Sequence, residues 1–231
     1  MVIVRGKGPC VVKGAVPVDP GVVVPGCVVN DGLDPLLCAC ARCSAPVSTR
    51  TTGSASPATC LSIARREVPS RLLLVGDGPD RVPAREVAEK LGVAKWIRWL
   101  GPLDAVEDVF CVADLFLLPS QNESFGLAAL EAMSAGVPVI SSNAEGLPEL
   151  VRNGETGFVL PVGDVEGMAR RATEILSDEK KHAAMSQAAR RVAIENYAVE
   201  SIIPMYEEFY GRVLGHPVRV PEPFRPPDAL A

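Results

Sequence analysis

Five short apolar runs punctuate the middle of the chain, and turn residues close most of them. Arg71–Val75 (R-L-L-L-V) is apolar without alternation, the pattern of a strand covered on both faces, and it stops at Gly76-Asp-Gly-Pro79. Trp96–Leu100, Asp114–Leu118, Val137–Ser141 and Gly157–Leu160 repeat the theme. Between them the spacing becomes helical. Asp80 is placed to cap a helix through Leu91, stopped by Gly92, and a second helix from about Phe125 to Ala135 runs into Gly136. Shorter helices are expected at Asp104–Ala113 and around Pro148–Arg152.

Strands alternating with helices over short links predict an α/β domain, a Rossmann-like parallel sheet with helices on both faces. Right-handed crossovers then place every strand's C-terminal end on one edge, where such sheets bind ligands.

The rest of the chain departs from this rhythm at both ends. After a helix capped by Asp164 and running to about Leu176 come two more, Asp178–Asn196 and Glu200–Leu214. The last carries Ile203, Tyr206, Phe209, Tyr210 and Val213 at helical spacing, and left uncovered that stripe should drive self-association. Residues 215–231, with five prolines, read as a frayed tail. Residues 1–62 contain no Phe, Tyr, Trp or Glu, and Gly and Pro interrupt their valines every few positions. They read as an irregular, disordered leader, and their composition also suits translation in a shifted reading frame. The expected organisation is leader 1–62, domain 63–214 and tail 215–231.

The chain has 231 residues, 48% of them hydrophobic, and a net charge of −5. That gives no support for a nucleic-acid partner, which would show a basic surplus. No apolar run is long enough to span a membrane and a signal-peptide core is poorly formed, so a cytoplasmic location is the default expectation. Six of the seven cysteines fall within the first 60 residues. The cluster Cys38, Cys40 and Cys43 lacks a second pair or a histidine at ligand spacing, so no metal site is expected.

Several chemistries drop out on motif grounds. Gly76-Asp-Gly-Pro-Asp-Arg81 begins like a dinucleotide fingerprint, but Arg81 stands at the third glycine position and no acidic residue ends the next strand. A phosphate-binding G-x-x-x-x-G-K-[ST] loop and a G-x-S-x-G elbow are both absent. His182 and His216 lie far downstream, leaving a Ser-His or Cys-His pair without a base.

What remains is E-S-F-G-L-A-A-L-E, Glu123 to Glu131, at a strand-to-helix turn. A helix starting near Phe125 would aim its free N–H groups at the ligand edge, and Gly126 would let a ligand approach the backbone. Glu123 and Glu131 could then bond hydroxyls at either end of a phosphate-linked ligand. Alternatively, Glu131 decorates an exposed helix face. Spacing alone leaves both readings open.

These residues resemble the E-x7-E signature of retaining glycosyltransferases of family 4, which have the two-domain GT-B architecture. The likeness extends through L-L-L-V-G-D-G-P, W-L-G-P-L-D, A-D-L-F-L-L-P-S, E-A-M-S-A-G-V-P-V-I, G-L-P-E-L-V and V-G-D-V-E-G, covering about Ala64 to Leu214. Within the family the wording is most similar to enzymes of bacillithiol biosynthesis that join N-acetylglucosamine to L-malate. The resemblance implies a UDP-sugar donor, a small acceptor, transfer with retained configuration and no metal or other cofactor. Glu123 would hold the sugar hydroxyls, the amides of Ser124, Phe125, Gly126 and Leu127 the sugar and diphosphate, and Glu131 the ribose. Gly76 and Asp77 would line the cleft, with Leu100 and Gly101 against the base. Nothing in residues 1–62 matches the family's N-terminal domain, which carries the acceptor site. The first donor-domain strand, whose loop supplies Arg and Lys to the diphosphate, also goes unmatched. The resemblance therefore implies a donor-binding half with little transfer activity of its own. Glu145 is a smaller departure, standing where many relatives have glycine.

Overall fold

The structure, a computed structural model, describes residues 2–5, 60–62, 64–103 and 105–215. Its centre is a six-stranded sheet in the order β3-β2-β1-β4-β5-β6. The strands are β1 (Val2–Arg5), β2 (Ser70–Val75), β3 (Ile97–Gly101), β4 (Leu115–Leu118), β5 (Val139–Ser142) and β6 (Gly157–Leu160). The helices are α1 (Arg81–Lys90), α2 (Glu107–Phe110), α3 (Leu127–Ser134), α4 (Leu147–Leu150), α5 (Val165–Ser177), α6 (Glu179–Tyr197) and α7 (Val199–Leu214).

The non-alternating apolar runs are explained by two cores, one on each face. Leu115 and Leu117 of β4 join Leu72, Ile97, Ile140 and Phe158 beneath α1 and α5. Phe116 and Leu118 point the other way, to Val139 and to Ala129, Ala132 and Met133 of α3. All four β4 residues are buried, as a strand covered on both faces requires.

Several boundaries tighten relative to expectation. Trp96 belongs to a 3-10 turn, Ala94–Trp96, ahead of β3. The N–H of Val137 returns to the carbonyl of Ala132, so β5 begins only at Val139. The helix expected from Asp104 shrinks to the single turn α2. Asp80 occupies the N-cap position of α1 without a side-chain cap bond, whereas Asp164 caps α5 by accepting the Gly167 N–H at 2.8 Å.

The main correction concerns the leader. Residues 2–5 lie within the stretch that reads as an irregular, disordered leader, yet β1 occupies the centre of the sheet, antiparallel to both neighbours. Val2 enters one core and Ile3 the other, at 1% and 0% exposure. Burial at about 1.5–3 kcal/mol per such side chain explains why four residues suffice. Arg5 closes the strand: its backbone N–H and Nε donate to the two carboxylate oxygens of Asp114 at 2.6 and 2.9 Å. Cys60 and Leu61, also assigned to the leader, are buried in the first core. The cluster Cys38, Cys40 and Cys43, and the tail from His216, lie outside the described residues.

At the other end, α7 leaves Val199, Ile203, Met205, Tyr206, Phe209, Tyr210, Val213 and Leu214 exposed. Among the described residues no helix is long and apolar enough to cross a membrane.

Candidate functional site

Strands β2 to β6 run in one direction, because β2 and β4 both oppose β1 and the remaining pairs are parallel. Their C-terminal ends, Val75, Gly101, Leu118, Ser142 and Leu160, therefore share an edge. The chain moves outward from β2 to β3 on one side and from β4 to β6 on the other. The loops after β2 and β4 thus flank the point where strand order reverses, the place such sheets bind ligands.

The loop after β2 is tied to the end of β3. Gly76, at φ 101°, donates its N–H to the Gly101 carbonyl at 2.7 Å. Asp77 accepts the Gly78 N–H at 2.9 Å and the Arg81 Nη1 at 3.2 Å. The backbone bond first, and Arg81 second, hold its carboxyl below the ordinary carboxylate value. Asp77 is therefore already paired by local donors. Leu100 packs half-buried against the second core.

After β4, Ser120 is buried; its hydroxyl lies 3.4 Å from Glu123 Oε2, and its carbonyl accepts the Ser142 hydroxyl. Glu123 is half-buried and its own carbonyl accepts the Gly146 N–H at 3.3 Å. The turn continues through Gly126 in the left-handed region, φ 93° and ψ 45°. Any side chain there would strain the backbone, and a β-carbon would come within 2.5 Å of Leu147 Cδ2. Only then does α3 start, with the Gly126 carbonyl accepting from Ala129 and Leu130 at 2.8 and 3.1 Å. The first N–H groups of a helix have no intrahelical acceptor, so those of Leu127 and Ala128 stand free of the helix's own carbonyls at the positive end of its dipole. Phe125 and Leu127 are exposed on either side of Gly126, and the Phe125 ring meets Tyr197 edge-on at 5.8 Å.

Glu131 lies further along α3 and is exposed as a residue. Protein packed around its carboxyl, and then the charge of Glu107 on α2, raise its pKa above the ordinary 4.5. Its neighbours differ from those of Glu123, whose carboxylate lies by Ser120.

For one of the two histidines the exclusion gains a structural basis, His216 lying outside the described residues. His182 Nε2 sits 2.7 Å from the carbonyl oxygen of Asp114, at the opposite end of β4 from this edge. Burial pushes the Cys60 thiol up to about 12, which makes it inert. The edge brings carboxylate acceptors and backbone donors together.

The sequence profile of the glycosyl transferases group 1 family matches residues 61–192. The chain belongs to that family. Among curated relatives, it is 40% identical over 148 residues to the N-acetyl-alpha-D-glucosaminyl L-malate synthase of Bacillus anthracis, covering 64% of this chain and 39% of that one. It is 39% identical over 137 residues to a D-inositol 3-phosphate glycosyltransferase of Rhodococcus jostii, covering 56% and 30%. Among solved structures, Anabaena HepE in complex with UDP-glucose superposes with a TM-score of 0.62 at 26% identity, over 67% of this chain and 44% of that one. The chain spans well under half the length of these relatives.

For this group 1 glycosyltransferase chain, all ten residues singled out from the sequence lie on the sheet's C-terminal edge or on the helix rising from it. Sequence reasoning missed Ser120, Gly146 and Glu107. Ser120 follows β4 directly, but one serine carries no periodic signal. Gly146 and Glu107 matter only through contacts with Ser124 and Glu131, which are distant in sequence.

Proposed function

We propose that this chain is the nucleotide-sugar-binding part of a retaining glycosyltransferase, taking a UDP-sugar across the loops after β2 and β4. The observation that carries the reading is the start of α3: a left-handed glycine, two unbonded helix N–H groups, and a glutamate on each side. In this reading Ser124–Leu127 contact the sugar and diphosphate, Glu123 accepts hydrogen bonds from sugar hydroxyls, and Glu131 from the ribose. Gly76 and Asp77 line the cleft, and Leu100 and Gly101 lie against the base. As the glycosidic bond breaks, negative charge grows on the diphosphate. The α3 dipole favours that charge, by about 0.3–2 kcal/mol. The leaving phosphate then takes the acceptor's proton, so neither a histidine base nor a metal is required. The relative from Bacillus anthracis supports N-acetylglucosamine as the sugar and L-malate as the acceptor.

Transfer also needs an acceptor held against the donor. A second reading is a module that binds UDP-sugar without turning it over. The exposed stripe of α7 is read as a self-association surface.

Calorimetry with UDP and UDP-N-acetylglucosamine, run in the presence of a chelator, tests the donor site. Both should bind, Glu131→Gln should weaken both, and Glu123→Gln should weaken only the sugar nucleotide. Absence of UDP binding would sink the proposal. Binding without product in the presence of malate would select the non-catalytic module.

A further inference from the structure

Resting on the donor-site reading above, the geometry points to Ser120 as a positioning residue that holds the Glu123 carboxylate in place for the sugar. Glu123 is half-buried on a turn, with no helix or strand of its own to fix it. The Ser120 hydroxyl lies 3.4 Å from Glu123 Oε2. Ser120 is 1% exposed, and a hydroxyl so deeply buried needs an acceptor within the protein. An ionised carboxylate is a stronger acceptor than a neutral group. The separation is long for an O–H···O bond, and contacts of this kind tighten when substrate binds.

Ser120 is itself held by the neighbouring strand. The hydroxyl of Ser142, the last residue of β5 and 0% exposed, donates to the Ser120 carbonyl. Ser142 is fixed in turn by its pairing with Leu160 of β6. A second tie comes from the loop that follows β5, where the Gly146 N–H donates to the Glu123 carbonyl at 3.3 Å. Both ends of Glu123 are therefore referred to the sheet, the backbone through Gly146 and the carboxylate through Ser120 and Ser142. A carboxylate has about four acceptor sites, so one bond from Ser120 leaves the others for sugar hydroxyls. Holding the side chain before the donor arrives spares the ordering entropy that binding would otherwise cost. That gain falls on the sugar alone, because in the donor-site reading UDP by itself presents nothing to Glu123.

The test measures UDP-N-acetylglucosamine and UDP by calorimetry on the wild type, Ser120→Ala, Glu123→Ala and the double variant. Ser120→Ala retains the carbonyl that Ser142 holds, so the denaturation midpoint should stay close to that of the wild type. It should weaken the sugar nucleotide at least about threefold, the scale of one hydrogen bond to a charged group, with UDP affinity unchanged. In the Glu123→Ala background it should have no further effect, because a residue acting only through Glu123 has nothing left to act on. Ser142→Ala leaves Ser120 and Glu123 in place and should show the same pattern more weakly. Normal sugar-nucleotide affinity in both serine variants, an equal loss for UDP, or an additive loss in the double variant overturns the positioning role and leaves the donor site standing. Failure of the wild type to bind UDP, or a Glu123→Ala variant that binds the sugar nucleotide normally, overturns the donor-site reading and the positioning role with it.

Discussion

A β-carbon on Gly146 would stand 2.5 Å from the carbonyl oxygen of Ser124, so the loop after β5 and the loop after β4 touch through their backbones. Gly146 has an ordinary helical φ of −74°, and the need for glycine is therefore steric, not conformational. Gly146→Ala should cost about 1–3 kcal/mol, as overpacking does, and should weaken UDP-N-acetylglucosamine binding. Gly154→Ala is the control: its φ of 82° brings backbone strain, but nothing lies within 4 Å. That variant should lose about 1–2 kcal/mol and bind donor normally. Urea unfolding and calorimetry on both variants separate the two effects.

Glu131 links stability to pH. Its carboxyl titrates above the ordinary 4.5 in the folded chain, through burial and then Glu107. Above that ordinary value the native state holds the proton more tightly than the unfolded state does. Stability therefore falls as pH rises through the window between the two values, and the deficit persists at neutral pH. Glu131→Gln should raise stability at pH 7 and leave it unchanged well below pH 4.5, while weakening UDP binding. Denaturation midpoints measured across that range check the sign. A parallel pH dependence in both proteins would show that Glu131 is not the group responsible.

The four residues of β1 should behave as core. Ile3→Ala removes a fully buried side chain and is expected to cost about 2–5 kcal/mol. Asp114→Ala leaves the Arg5 backbone N–H and guanidinium without their carboxylate, at an expected cost of about 1–3 kcal/mol. Hydrogen exchange should show the Ile3 amide protected in the wild type and faster in Asp114→Ala. An unprotected amide in the wild type would place β1 outside the cooperative fold.

The apolar side of α7 should report itself in solution. Phe209 and Tyr210 pack ring edge to ring face at 6.0 Å and are 54% and 55% exposed. The chain should associate as concentration rises, and Phe209→Ser with Val213→Ser should abolish that association without changing donor binding. Light scattering over a concentration series decides the matter, and a monomer throughout removes self-association from the account.

The order of β2 to β6 along the chain, the helices between them and the strand-to-helix turn at Glu123–Glu131 were legible from the sequence. Their signals are local: apolar runs for strands buried on both faces, helical spacing, Asp164 before α5 and Gly136 after α3. β1 was not legible, since V-I-V-R is too short to show a period and its pairing partners begin 65 residues later, at Ser70. Only the tertiary structure decided that these residues fill the slot between β2 and β4. Two isolated hydrophobic side chains become stable there because a core already stands on each face of the sheet. The site divides in the same way. Residue types and spacing nominated Glu123, Gly126 and Glu131. The closeness of Gly146 to Ser124 and of Glu107 to Glu131 depends on which loops the sheet brings to one edge, and spacing along the chain does not encode that.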